Sequence, residues 1–258
     1  MIFSHKNLST KIQNLVNKSY LYSSEALGSL LFGRCYLCGV TDNIDQLICK
    51  PCEKDLLMPL QTMLCSHCKI PLGTDSWHPH CAECRLIPPS YDTCIAVTTF
   101  EFPASALVHK LKYENKQFIA QLLGRLLYEA SAKSLTPTPD LICSVPMHSN
   151  KQTTRRYNHA SEIARHCANL GGRTFMPHLL LKIQETESQS SLRRTQRIQN
   201  LKNSISVDAC TDVNGKHIAV VDDVMTTGAT FDYVAQLLKS RGASIVDVWT
   251  FARTPKPR

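Results

Sequence analysis

The chain has no apolar run long enough to cross a membrane, and its amino-terminal residues lack the pattern of a secretory signal. A spanning helix needs about 20 consecutive apolar residues. A secretory signal has a compact apolar core followed by a small-residue cleavage site. These absences predict a soluble, cytoplasmic protein that does not insert into membranes. Its 258 residues fit one or two domains with a buried core.

Acidic residues are in the minority, with 21 Asp and Glu against 29 Lys and Arg and a formal net charge of +8. A positive charge suits an anionic partner such as a nucleotide, pyrophosphate or nucleic acid. It is nearly as well explained as the ordinary charge that keeps a domain of this size in solution. Charge therefore admits anionic ligands without selecting one.

The cysteines are concentrated in one segment, where eight of the twelve form four C-x-x-C pairs. The pairs are Cys35/Cys38, Cys49/Cys52, Cys65/Cys68 and Cys81/Cys84. One C-x-x-C turn supplies two corners of a tetrahedral thiolate site, so four pairs predict two structural Zn²⁺ ions and a reducing compartment. The segment is too short to bury a core unaided, so we expect zinc to fold it.

Two pairings of these cysteines are open. Sequential pairing gives one site from the first two C-x-x-C pairs and a second site from the last two. A cross-braced pairing, first pair with third, is the alternative. A redox role is weaker, because four tandem pairs suggest structure. The segment also has little repeated basic or aromatic character, which weakens its interpretation as a nucleic-acid finger.

A second segment, residues 221–230 (VDDVMTTGAT), lies between two patterned stretches. Residues 217–221 predict a buried strand, residues 231–241 a helix that ends at Gly242, and residues 244–249 another strand. This order predicts a βαβ unit with a right-handed crossover. The connecting loop then follows the carboxyl end of a strand, where open parallel sheets bind their ligands.

The composition of this loop predicts a phosphate cradle. Gly228 and the small Ala229 allow backbone amides to approach a ligand closely. Thr226, Thr227 and Thr230 add hydroxyl donors, and the helix start adds N–H groups and a partial positive charge. The simpler interpretation is an Asx-type turn with threonine caps.

Two acids precede the cradle, Asp222 and Asp223, and they would repel a phosphate. They are understandable if they accept hydrogen bonds from sugar hydroxyls or lie near Mg²⁺. The expected ligand is therefore a sugar phosphate, with its sugar on the acids and its phosphate on the amides.

The remaining patterns divide the chain into three parts. Residues 1–34 form an N-terminal segment of one or two amphipathic helices, residues 35–87 the zinc module, and residues 88–258 the ligand-binding domain. Within the last part we predict strands at 94–102 and 141–145, a helical stretch at 104–132 broken near 113–115, and a helix at 160–170.

Basic residues cluster in three places of this last part. Lys151 and Arg155 follow the strand at 141–145, where they could hold pyrophosphate. Arg197 lies in a polar, basic run that could close over a substrate, or could be a plain exposed connection. The lysines of the helical stretch, Lys110, Lys112 and Lys116, could equally reach an anionic ligand or form a solvated face.

Residues 221–230 closely resemble the phosphoribosyl-pyrophosphate (PRPP) loop of type I phosphoribosyltransferases. The resemblance implies that Asp222 and Asp223 hold the ribose hydroxyls. It also implies that a run of six residues wraps the 5′-phosphate: Met225, Thr226, Thr227, Gly228, Ala229 and Thr230.

More widely, residues 35–255 resemble the ComF family of competence-associated proteins, which includes the GntX-like proteins. The matching features are the cysteine module, the PRPP loop, and the motifs at 110–113 (KLKY), 146–148 (PMH), 155–158 (RRYN), 186–192 (TESQSSL), 197–200 (RIQN) and 252–254 (ART). The resemblance implies an α/β fold, with a type I phosphoribosyltransferase-like parallel sheet flanked by helices and a small N-terminal zinc ribbon. It also implies a role in DNA uptake during transformation, alongside other uptake proteins, with PRPP, Mg²⁺ and single-stranded DNA as ligands.

An active phosphoribosyltransferase of nucleotide metabolism is the alternative function. Lys151 and Arg155 would then hold pyrophosphate and Arg197 would close the lid, but no residue must be the general base. The family pattern has Arg-Gly-Phe-Asn-Gln at positions 155–159, where this chain has RRYNH, and arginines at positions 151 and 153. These departures affect the pyrophosphate side and leave the 5′-phosphate loop intact. For DNA, Tyr113 and Tyr157 could be stacking platforms or simply packed rings.

Overall fold

A computed structural model describes residues 34–41, 47–57, 63–73, 77–114, 116–134, 137–147, 157–183 and 204–255. The chain divides into two compact units, Met1–Lys54 and Asp55–Arg258. The predicted amphipathic helices of residues 1–34 lie almost entirely outside the described residues. So do Lys151, Arg155 and the predicted lid with Arg197.

The described part of the smaller unit is built on tight turns. The first C-x-x-C turn is closed by the amide of Gly39, which donates to the carbonyl of Cys35 at 2.8 Å. The amide of Tyr36 donates to the carbonyl of Leu47 at 2.9 Å and so joins this turn to the second one. Helix α1, Lys50–Leu57, begins just after Cys49 and carries Cys52 in its first turn. Short turns of this kind present cysteines side by side.

The larger unit contains a five-stranded sheet and a separate two-stranded one. Its strands are β1 Thr93–Thr99, β2 Leu141–Ser144, β3 Thr174–Phe175, β4 Leu180–Lys182, β5 Ile205–Val207, β6 His217–Met225 and β7 Ile245–Arg253. The large sheet has the order β1-β7-β6-β2-β3, and all of its neighbouring strands are parallel. Strands β4 and β5 pair antiparallel.

The described helices of this unit are α2 Ala82–Leu86, α3 Ala104–Tyr113, α4 Phe118–Ala132, α5 His159–Gly171 and α6 Ala229–Ser240. Of these, α4, α5 and α6 pack against the large sheet. Residues of α6 share a buried cluster with Val220 of β6 and Val248 of β7, while the intervening Ala219 and Val221 are buried as well. Because side chains alternate along a strand, both faces of β6 are covered, as expected for a parallel sheet.

Helices α4 and α5 approach closely at Gly124. A Cβ atom at that position would lie 2.7 Å from the Cβ of His166 and 2.9 Å from the carbonyl oxygen of Ile163. Only a residue without a side chain allows this separation, so Gly124 sets the distance between the two helices.

The predicted parallel α/β architecture is confirmed, and so is the break in the long helical stretch, because α3 ends at Tyr113 and α4 begins at Phe118. No helix in the described ranges has the length and apolar character needed to cross a bilayer. The principal difference from prediction is β6. It was expected to end at Val221 but continues to Met225, because Asp222, Val224 and Met225 remain in register with β7. The acids therefore lie on a strand.

Candidate functional site

The strand order defines where a ligand would bind. The connection after β2 leads to β3 on one side, whereas β6 leads to β7 on the other side of the sheet. Such a reversal opens a crevice at the carboxyl ends of the two central strands, and ligands of open parallel sheets bind there. In this chain the crevice lies beyond Ser144 and Met225, which end β2 and β6.

The loop between β6 and α6 is short and held by local hydrogen bonds. Gly228 precedes α6 with φ 78°, a left-handed conformation that residues with a side chain seldom adopt. A Cβ at Gly228 would also lie 2.6 Å from the Cε atom of Met225. The amide of Ala229 donates to the hydroxyl of Thr227 at 3.4 Å. Glycine at 228 therefore lets the chain turn into α6, whose first-turn amides favour an anion.

The two acids before the loop have different surroundings. Asp223 is buried, and its Oδ1 lies 2.7 Å from the Nζ of Lys112, which is on the last turn of α3. Asp222 is half-buried, and its Oδ1 accepts the amide of Asp223 at 2.8 Å. Burial and the neighbouring Asp223 raise the pKa of Asp222 to about 7, although Lys112 opposes the shift. Asp222 can therefore change its charge near neutral pH.

Of the lysines in this stretch, Lys112 forms an ion pair with Asp223. The sequence named three lysines of this stretch and left open whether they face a ligand or solvent. The ion pair between Lys112 and Asp223 spans 111 residues of chain. Only the fold brings α3 beside the end of β6, so sequence spacing alone could not select Lys112.

The cysteines group sequentially. In each group, Cys35/Cys38/Cys49/Cys52 and Cys65/Cys68/Cys81/Cys84, the four sulfur atoms all lie within 4.8 Å of one another. The Sγ atoms of Cys38 and Cys49 are 3.7 Å apart, and those of Cys68 and Cys81 are 3.8 Å apart. A tetrahedron with Zn–S bonds of about 2.3 Å has edges of about 3.8 Å, so both groups fit zinc. We call them the first cluster and the second cluster.

The two clusters differ in exposure. In the first cluster Cys35 is buried and Cys38 is exposed, whereas all four cysteines of the second cluster are buried. A backbone amide points at a sulfur in each: Cys49 N–H donates to Cys35 Sγ, and Cys81 N–H donates to Cys65 Sγ, both at 3.3 Å. Such bonds favour the thiolate, which is the form that binds metal.

One residue near the loop had no role assigned from sequence. In the sequence, Arg253 is only one residue of the ART motif; in the fold it ends β7, and its guanidinium is buried beside the loop. Its Nη1 donates to the carbonyl oxygen of Met225 at 2.9 Å and also to that of Thr226. Its Nε donates to the carbonyl oxygen of Cys68 at 2.8 Å. Long-range contacts of this kind leave no local signature in a sequence.

The two tyrosines considered for stacking have different environments. The hydroxyl of Tyr157 donates to the carbonyl of Leu111 at 3.3 Å, and its ring centre lies 4.7 Å from that of His159. Tyr157 is therefore a packed ring. Tyr113 is 63% exposed, with its ring centre 4.8 Å from that of His109. Of the two, only Tyr113 presents an open surface.

Comparison with known proteins places the chain in a family. The DNA utilization protein YhgH of Salmonella typhi is 33% identical over 229 residues, which cover 86% of this chain and 97% of that protein. Competence protein F of Haemophilus influenzae is 28% identical over 211 residues, or 80% of this chain and 90% of that protein. The chain belongs to the ComF family.

The carboxyl-terminal part of this ComF-family chain matches a domain family as well. Residues 167–258 match the family described as phosphoribosyl transferase domain. A solved structure of the allosteric regulatory enzyme of purine biosynthesis aligns with 51% of this chain and 25% of its own, at 22% identity and a TM-score of 0.35. The domain match, the parallel sheet and the two cysteine clusters confirm the predicted phosphoribosyltransferase-like fold with a cysteine-rich N-terminal region.

Proposed function

We propose that this ComF-family protein binds PRPP, or another phosphorylated ribose, with Mg²⁺ in the crevice beyond β2 and β6. The observation that carries the proposal is the left-handed Gly228, which turns a strand bearing two acids directly into the start of α6. A phosphate monoester fits residues 225–230, because helix-start amides and threonine hydroxyls can all donate to its oxygens.

The sugar would lie on the strand side of the phosphate. Asp222 is half-buried and can accept hydrogen bonds from ribose hydroxyls, while Asp223 is already held by Lys112. The lysine offsets one of two neighbouring negative charges, so the pair can face an anionic ligand. Mg²⁺ keeps several waters and binds phosphate oxygens with one or two carboxylates, and Asp222 fits that requirement. Bound with PRPP, the ion would neutralise pyrophosphate charge.

Replacing both acids tests the ribose site. In Asp222→Asn/Asp223→Asn, PRPP binding should weaken at least about tenfold, because a hydrogen bond to a charged group contributes about 1.5–3 kcal/mol. Calorimetric titration with PRPP and Mg²⁺ measures the loss, and the melting temperature monitors the fold. Asp55→Asn/Asp212→Asn removes two exposed carboxylates and should bind as the parent does. Equal affinity of the first double variant and the parent would disprove the role of the acids. A parent that does not bind PRPP would leave the loop as a scaffold feature.

We also propose that each cluster binds one Zn²⁺ ion. The support is the match between the sulfur separations and the edge of a zinc–thiolate tetrahedron. Elemental analysis of the purified chain should return two zinc ions per molecule. Iron in place of zinc, or no metal, would reject this assignment.

The proposed cellular role is in DNA uptake, with single-stranded DNA as a second ligand and other uptake proteins as partners. The support is the naming of its relatives as DNA utilization and competence proteins, together with the net charge of +8. Binding of an oligonucleotide should weaken steeply as salt rises, because Lys and Arg release counterions from the phosphates. Anisotropy titrations between low and moderate salt would measure this slope. Binding that is absent at low salt would contradict it.

A transferase activity is the second candidate, and the phosphoribosyl transferase domain match favours it. An acceptor would displace pyrophosphate at ribose C1, and the protein would contribute mainly positioning and charge. Lys151, Arg155 and Arg197 remain the predicted pyrophosphate and lid residues. Release of pyrophosphate from PRPP in the presence of candidate bases would separate this function from ligand binding alone.

A further inference from the structure

Arg253 connects the second cluster to the phosphate loop. Its guanidinium donates at one end to the carbonyl of Cys68, a member of the second cluster. At the other end it donates to the carbonyls of Met225 and Thr226, where the loop begins. The residue is only 2% exposed. A guanidinium holds its donors in a rigid plane, so the positions of these carbonyls are fixed relative to one another.

Packing provides a second, independent connection. The four cysteines of the second cluster belong to the same buried apolar cluster as Tyr91, Met225 and Ala229. The hydroxyl of Tyr91 lies 3.8 Å from the position that a Cβ of Gly228 would take, and the Sγ of Cys94 lies 3.8 Å from the Sδ of Met225. The loop therefore rests on side chains that extend without interruption to the second cluster.

The geometry of the cysteine turn decides where the carbonyl of Cys68 points. The amide of Lys69 donates to the carbonyl of Cys65 at 2.9 Å, and Lys69 itself has a left-handed φ of 55°. A metal ion on the sulfurs of Cys65 and Cys68 would hold this turn closed. Without the ion, the turn can open and a buried guanidinium loses an acceptor, which is strongly unfavourable.

We propose that metal binding at the second cluster and ligand binding at the loop are coupled, with Arg253 as the positioning residue between them. A metal ion on the sulfur atoms of the second cluster keeps the turn closed and so fixes the position of the Cys68 carbonyl. Arg253 connects that carbonyl to those of Met225 and Thr226, and the loop keeps its ligand-binding shape. Coupling of binding free energies is reciprocal, so a ligand on the loop must also retain the metal. The effect on ligand binding rests on the proposed function, whereas the effect of the metal on the shape of the loop does not.

The effect of the second cluster on the loop is tested by hydrogen exchange of the amides of residues 225–231 in the full zinc-loaded chain. Arg253→Met should speed this exchange about tenfold relative to the parent, since a hydrogen bond from a buried charge is lost. Arg253→Lys keeps the charge and should lie between the two. Arg241→Met, an exposed arginine at the end of α6, is the matched control and should leave the exchange unchanged. Removing zinc from the parent with a chelator should produce the same increase as Arg253→Met.

The effect of the ligand on the metal is measured in a chain with Cys35→Ser/Cys38→Ser, so that zinc release reports the second cluster alone. Addition of PRPP and Mg²⁺ should slow zinc release severalfold, and Arg253→Lys in that background should reduce the effect. If Arg253→Lys and zinc removal both leave loop exchange as it is in the parent, the coupling is disproved. If hydrogen exchange in the loop changes with Arg253→Lys and with zinc removal, but PRPP binds neither the zinc-loaded nor the zinc-free chain, the proposed ligand is wrong. The coupling between the second cluster and the shape of the loop then still stands.

Discussion

The two cysteine clusters share a motif and a sulfur geometry, but they have different surroundings. The first lies in the smaller unit, whose described residues form tight turns and the start of α1, with Cys38 exposed and Cys49 and Cys52 half-buried. The second is buried throughout and shares its apolar environment with strands β6 and β7 and helix α6. The C-x-x-C spacing predicts a metal ligand in both cases. We expect tertiary packing to decide whether a metal ion at a cluster would stabilise only a local turn or, as proposed above, would also support the loop between β6 and α6.

The sharpest test of this contrast is to remove one ligand from each cluster. Cys84→Ser should destabilise the larger unit by about 4 kcal/mol or more and lower its melting temperature by about 10 °C, because a buried metal site is lost from a shared core. Cys38→Ser should shift the melting of that unit by less than about 2 °C. Thermal unfolding followed by near-ultraviolet circular dichroism measures both. Equal shifts would show that the two clusters have the same structural role.

A smaller effect is expected from the loop itself. Gly228→Ala places a side chain in a left-handed conformation, which costs about 1–2 kcal/mol, and its Cβ would meet Met225. Because Met225 packs in the same apolar core as the cysteines of the second cluster, zinc should dissociate from the second cluster faster than in the parent.

The matched control is Gly172→Ala, which has a φ of 60° and nothing within 4 Å of the added Cβ. It should lower stability by a similar amount without changing zinc release, as measured with a chromophoric chelator. Identical release rates in the two variants would remove the link between the loop and the second cluster.

A further expected effect is a pH dependence that comes from Asp222 on β6 and should not involve the first cluster. The pKa of Asp222 is raised to about 7, so ionising it opposes folding. Stability of the ligand-free protein should therefore fall as pH rises from about 4 to about 7, and remain lower above that range.

Ligand binding should show the opposite trend, because ribose hydroxyls donate to the ionised form of Asp222. PRPP affinity should rise up to about tenfold between pH 6 and pH 8, as the ionised fraction grows. Asp222→Asn should flatten this component in a calorimetric titration, leaving only the ionisation of the ligand itself. A parent and variant with superimposable pH profiles would contradict the shifted pKa.

The βαβ unit and the glycine turn between β6 and α6 could be predicted from the sequence because those signals are local. Apolar runs, glycine positions and cysteine spacing act within about ten residues. The continuation of β6 through Asp222 and Asp223 was not predicted, because aspartate disfavours strands in isolation. Pairing with β7 from Asp222–Thr250 to Met225–Arg253 overrides that preference. Tertiary contacts decided the local structure there.

The roles of Lys112 and Arg253 were beyond sequence reasoning for a related reason. Lys112 reaches an acid 111 residues away, and Arg253 reaches a carbonyl 185 residues away. Neither contact has a periodicity or spacing that a single sequence displays. Strands β3, β4 and β5, of two or three residues each, are too short to carry an alternating pattern. What the chain brings together over long distances became visible only in the fold.

The close approach of α4 and α5 at Gly124 has a consequence for mutational scanning. Any larger residue at position 124 would push α4 and α5 apart, since its side chain would clash with the backbone carbonyl of Ile163, which cannot move aside. Position 124 should therefore tolerate substitution as poorly as position 228. One glycine is required for a distance between helices and the other for a backbone angle in the loop where we propose that a ligand binds. Intolerance in a scan thus reports two unrelated requirements, and only the one at 228 concerns the proposed binding site.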